Sequence, residues 1–127
     1  VTDFAAVCEA LTILPPETRR RIVEEALASG YAAKDLAELM GVSPPAVSRY
    51  TRGDLAPSVG AICRLLMNAE EELANRLLVL AARGIWAYLR LLIENLPPGH
   101  ALEELLSEIA DYVSEKLATY HIEQASP

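Results

Sequence analysis

AKDLAELMGVSPPAVSRYTR, residues Ala33 to Arg52, carries two short amphipathic periods separated by a glycine. Leu36, Ala37 and Met40 fall on one face of a first helix, and a new apolar face begins after Gly41 with Val42, Val47 and Tyr50. The spacing predicts helix, tight turn, helix. Gly41 suits a backbone of positive φ, Ser43 is placed to cap the second helix, and Pro44 and Pro45 fill first-turn positions whose N–H groups lack intrahelical acceptors. Gly53 ends that helix. Ala37 is small where the two helices must cross closely, so it reads as a packing residue rather than a chemical one.

This stretch resembles the helix-turn-helix of the phage repressor/Cro family of transcriptional regulators. The resemblance rests on the small residue at the fifth position (Ala37) and glycine at the ninth (Gly41). It also rests on apolar residues at the fourth, eighth, tenth, fifteenth and eighteenth: Leu36, Met40, Val42, Val47 and Tyr50. It continues into SRYTRGDLAPS, which is similar to the family's run of recognition-helix end, glycine, loop, proline and capped following helix. The resemblance implies that residues 44–52 enter the major groove of double-stranded DNA. It places Pro44, Pro45 and Arg49 at base-facing positions, with Arg49 the residue expected to read a base directly. Phosphate contacts are implied for Ser43, Ser48 and Arg52, and for backbone N–H groups near Ala33 at the start of the preceding helix. Two departures stand out. The loop after the second helix offers Asp54 where relatives carry cations, and Pro44 and Pro45 can make only apolar contacts, for instance with a thymine methyl. The bland alternative is an ordinary helical pair that uses the same close-crossing chemistry.

The net charge of −7 over 127 residues bears on that expectation through its distribution. From Pro16 to Ser58, six cations (Arg19, Arg20, Arg21, Lys34, Arg49, Arg52) face six anions (Glu17, Glu24, Glu25, Asp35, Glu38, Asp54). The whole acidic excess therefore lies outside the segment expected to bind DNA. A neutral segment still has a weak electrostatic footprint for a polyanion. The Arg19-Arg20-Arg21 run reads as a solvated helix face, with a phosphate contact as the lesser reading. The most apolar run, Leu77 to Ile93, contains Arg83 and Arg90 and falls short of the roughly 20 residues a bilayer demands, so no membrane partner is expected. No signal peptide is recognised before the first helix, and a cytoplasmic location is expected. Cys8 and Cys63 lack metal-ligand spacing and read as two buried free thiols, a disulfide between them being the lesser alternative.

The remaining chain reads as helices throughout. Thr2 can cap a short helix carrying Phe4, Ala5, Val7, Cys8 and Leu11, which ends before Pro15. Pro16 and Gly30 frame a second helix that buries Ile22, Val23, Ala26 and Leu27, with i,i+4 pairs expected at Glu17–Arg21, Arg20–Glu24 and Arg21–Glu25. Ser58 caps a helix with Val59, Ile62, Cys63 and Leu66. From Ala69 to Leu96 the pattern is helical and apolar over most of its circumference, with Arg76, Arg83 and Arg90 on a narrow polar stripe and Gly84 a place for a kink. At ~1.5 Å per residue this helix outruns the small domain it would serve. Pro97-Pro98-Gly99 forces a turn. A last helix, from about Ala101 to Tyr120, sets Leu102, Leu105, Leu106, Ile109, Tyr112, Val113 and Leu117 against acidic Glu103, Glu104, Glu108, Asp111 and Glu115, and the tail after Ile122 is expected to fray.

No phosphate-cradling loop, nucleophile elbow or paired Cys motif is present, and His100 and His121 are isolated. No catalytic, metal or cofactor site is expected, and the chain does not read as an enzyme. Trp86 and Tyr88 could line an effector pocket, but aromatics at helical spacing are more often core. These readings point to an all-α fold: a repressor-like helix-turn-helix DNA-binding domain over residues 1–67, then a long helix and a C-terminal helix over 68–127 that form a homodimerisation bundle. The function expected is sequence-specific DNA binding by a homodimeric transcriptional regulator. The rivals are a protein-interaction module, or an antitoxin, that uses the helix-turn-helix as scaffold.

Overall fold

Residues 3–125 are described by a computed structural model and are helical wherever they are regular: α1 Phe4–Leu11, α2 Pro16–Ala28, α3 Ala33–Met40, α4 Pro44–Arg52, α5 Val59–Asn68, α6 Glu71–Glu94 and α7 His100–Ala125. The caps explain most boundaries. Thr2 lies outside the described residues, and the first helix is capped by Asp3, whose carboxylate accepts the Ala6 N–H at 3.1 Å. Ser43 and Ser58 accept the N–H groups of Ala46 and Ala61. Gly41 (φ 68°) and Gly53 (φ 81°) take the left-handed conformation that closes α3 and α4.

Residues up to Tyr88 form one compact unit and those from Leu89 another. In the first, α3 packs on α4 and α5, α1 packs on α5, and α2 packs on α3, α4 and α5. Ile22, Leu36, Met40, Val47, Ile62, Leu65 and Leu66 are fully or almost fully buried where these helices meet. Leu73, Leu77 and Ala81 of α6 close the same core. Burying side chains of this size contributes about 1.5–3 kcal/mol each.

The polar side chains of α2 depart from the expected ladder. Arg20 pairs with Glu17 one turn back, and Glu25 meets Arg76 of α6 at 3.7 Å, the same guanidinium donating to Ser29 Oγ at 2.8 Å. The Arg-run reading also changes, because Arg19 turns inward: its Nε donates to the Pro57 carbonyl at 2.8 Å and Nη1 to the Leu14 carbonyl. Arg19 therefore ties the start of α2 to the loop after α4. Gly84 does not interrupt α6, which is helical through it.

In the second unit, the last residues of α6 and the turn at Asn95–Gly99 lead to α7. The Asn95 side chain donates to the Leu91 carbonyl at 2.8 Å and Arg90 pairs with Glu94 at 3.0 Å. Helix α7 continues to Ala125, past the point where fraying is expected, and buries none of its described residues. Leu102 and Ile109 are half-buried, while Tyr112, Leu117 and Ile122 are more than half exposed.

Candidate nucleic-acid interface

Helix α4 has two unlike faces. Val47 and Tyr50 are buried, at 0% and 4% exposure, whereas Pro44, Pro45, Ser48, Arg49 and Arg52 are exposed. The spacing alone produces this division, since residues three apart lie on one side of a helix. Burial raises the Tyr50 phenol above its ordinary pKa, an effect the nearby Arg64 charge partly offsets. The neutral phenol is thus a packing element.

The two prolines have a consequence for anion binding. With Pro at the first two helical positions and the Ala46 N–H held by Ser43 Oγ, the start of α4 lacks the free N–H groups that a phosphate would need. The start of α3 is different. No side chain caps it at Ala32, so its first N–H groups are left to an outside acceptor, with Asp35 in the same turn opposing an anion.

Ala33 of α3 and Pro44, Pro45, Ser48, Arg49 and Arg52 of α4 line one surface concavity of about 470 Å³. Six of the seven residues singled out from the sequence are thereby brought together. Ser43 is exposed at the cap but does not line the concavity. Arg52 is not a free cation, because its Nε bonds Asp54 Oδ2 at 3.1 Å, both side chains remaining about 60% exposed. The Arg49 guanidinium has no hydrogen-bond or ion-pair partner among the described residues.

The turn between α3 and α4 depends on a residue that sequence reasoning missed. Arg64 of α5 donates from Nε to the Met40 carbonyl at 2.7 Å, satisfying a group at the end of α3, and Asn68 donates to the Leu39 carbonyl at 3.0 Å. A Cβ on Gly41 would lie 2.8 Å from Arg64 Nε. Glycine is favoured there by its positive φ, and any Cβ would also make the Arg64 side chain shift. The available signal was Arg64 as the single charged residue of the helix Val59–Asn68.

Among the described residues no group of three or more His, Cys, Asp or Glu is placed to hold a metal ion, and no helix is long and apolar enough to cross a membrane. A second concavity, of about 330 Å³, is lined by Thr18, Arg21, Arg83, Gly84 and Tyr88 among others, whereas Trp86 does not contribute to it and is half exposed.

Residues 23–67 match the family model described as helix-turn-helix, which begins inside α2 and ends at the last turn of α5. No curated protein and no solved structure matches the chain.

Proposed function

We propose, for a chain whose residues 23–67 are a Cro/C1-type helix-turn-helix of the kind found in DNA-binding regulators, that it is a sequence-specific transcriptional regulator acting as a homodimer. The observation that carries this is the shared concavity of Ala33, Pro44, Pro45, Ser48, Arg49 and Arg52, opposite a face of α4 locked into the core. Residues 44–52 lie in the major groove. Arg49, unpaired and mid-helix, donates to guanine O6 and N7, while Pro44 and Pro45 bring an apolar surface suited to thymine methyls. The N–H groups at the start of α3, the hydroxyls of Ser43 and Ser48, and Arg52 contact phosphates.

Residues 68–127 serve as the dimerisation region in this reading. Support comes from apolar side chains that the single chain leaves in solvent: Trp86, Tyr88, Leu91, Leu92, Tyr112 and Leu117 are each more than half exposed. Apolar surface of that extent marks an association site. Two-fold symmetry also matches the half-sites that such domains read.

The acidic face of α7, Glu103, Glu104, Glu108, Asp111 and Glu115, favours a second reading, in which this helix docks a basic protein partner. The chain would then be an interaction module, or an antitoxin that binds both its operator and a toxin. The deciding experiment is a gel shift with the DNA upstream of the protein's own gene, repeated at two salt concentrations. Binding that weakens with salt and survives random competitor DNA supports the regulator. No binding to any duplex at low salt replaces it with the interaction module.

A further inference from the structure

Cys8 on α1 and Cys63 on α5 are both free thiols, and neither has a part in DNA recognition. The two helices pack against each other, and both cysteines belong to the core region where they meet, with Cys8 near enough to perturb the Cys63 thiol. Cys8 is half-buried and retains access to solvent, whereas Cys63 is 9% exposed.

We propose that Cys8 and Cys63 are a site of reversible oxidation, at which a hydroperoxide closes an intramolecular disulfide that ties α1 covalently to α5. The oxidant reaches the more open sulfur first. Hydrogen peroxide converts the Cys8 thiol to a sulfenic acid and leaves as one water. The Cys63 sulfur then attacks the Cys8 sulfur, the sulfur–oxygen bond breaks, and the hydroxyl departs with the Cys63 proton as a second water. Two electrons pass from the sulfur pair to the peroxide bond, so atoms and charge balance. A dithiol reverses the step by exchange through a mixed disulfide.

Burial sets this order. It pushes the Cys63 thiol up to about 12, the neighbouring Cys8 thiol adding to the effect and the Arg64 charge opposing it, so Cys63 waits as a protonated, shielded thiol. The closed ring would run from residue 8 to residue 63 and so enclose the whole of α2, α3 and α4. Rings of that size remove much conformational freedom from the unfolded chain. Helix α1, otherwise held by buried Leu11 and by partly buried Phe4 and Val7, becomes a fixed part of the DNA-binding unit.

The test uses the full chain, treated with hydrogen peroxide and then digested without reductant for mass spectrometry. The expected result is a peptide pair linked through Cys8 and Cys63, lighter by ~2 Da than the two reduced peptides together, with Tm raised by about 5–15 °C and restored by dithiothreitol. Cys8→Ser, at the half-buried position, should fold and show neither the link nor the shift. Cys63→Ala is the reciprocal control and avoids burying a hydroxyl. Recovery of both thiols in alkylatable form after oxidation would overturn the proposal. So would conversion of Cys8 to a sulfinic acid without a link, or a link found only between chains.

Discussion

Thr18 of α2 packs so closely on Gly84 of α6 that a Cβ added to the glycine would lie 2.4 Å from Thr18 Cγ2 and 2.9 Å from its Oγ1. No rearrangement of a flexible chain end can relieve this, because the β-branched side chain of Thr18 is 93% buried. Helix propensity favours alanine over glycine by ~1 kcal/mol, but overpacking costs about 1–3 kcal/mol. Gly84→Ala should therefore give no net gain and lower stability by up to about 2 kcal/mol in urea unfolding. The double variant with Thr18→Ala should recover most of that loss. A Gly84→Ala single variant more stable than wild type would mean that α6 does not approach α2 this closely.

Gly41→Ala should cost more, because it forces alanine into positive φ and also displaces Arg64 from the Met40 carbonyl. The backbone term is about 1–2 kcal/mol, and a lost hydrogen bond from a charged donor adds about 1.5–3. In an Arg64→Ala background the same substitution should cost only the backbone term. Equal costs in both backgrounds would show that Arg64 and Gly41 are energetically independent.

The Arg52–Asp54 pair makes a prediction about DNA affinity that the charge count does not. Because the pair is exposed, breaking it changes stability by no more than ~1 kcal/mol. Asp54→Asn frees Arg52 and removes an anion beside the proposed phosphate contacts. Affinity for cognate and random duplex alike should then rise by about 2–5-fold at low salt, the gain shrinking as salt increases. Arg52→Ala should weaken both duplexes to a similar degree.

Arg49→Ala should act on the cognate site alone, with a loss of ~1–3 kcal/mol of discrimination and an unchanged melting curve. Ala37→Leu is the contrasting control. At 1% exposure on the α3 side of the turn, Ala37 has no room for a larger side chain, so both kinds of binding should fall through loss of the fold. Unchanged operator binding by Arg49→Ala would remove Arg49 from the reading role.

For the homodimer, Leu92→Glu is the informative substitution. Leu80, apolar in the same long helix, packs against the core of the first unit, so a charge there would unfold that unit rather than report on association. Leu92 is 59% exposed in the single chain, so a carboxylate there stays largely hydrated unless a second copy covers it. Sedimentation equilibrium at micromolar concentration should show a wild-type dimer and a Leu92→Glu monomer with helical content retained. A wild-type monomer would exclude the dimer outright.

The helix-turn-helix was legible in the sequence because its determinants are local. The apolar period from Leu36 to Tyr50, the left-handed glycines 41 and 53 and the Ser43 and Ser58 caps all act within a few residues of themselves, so spacing alone specifies them. The exposed side of α4 follows from the same spacing. Determinants distant in sequence were not legible. Glu25 was free to be assigned to Arg21 until folding brought Arg76 to it, and Arg19 was indistinguishable from its two neighbours until the Pro57 carbonyl arrived beside it. Gly84 looked like a kink because nothing nearby in sequence shows Thr18 pressed against it. The nearness of Cys8 to Cys63 was likewise undecided, since no spacing rule links two cysteines on separate helices and their pairing stood only as the lesser alternative. A helix pattern records which side of a segment is apolar, whereas which partner meets that side, and at what distance, is settled only when all the helices compete for the same buried volume.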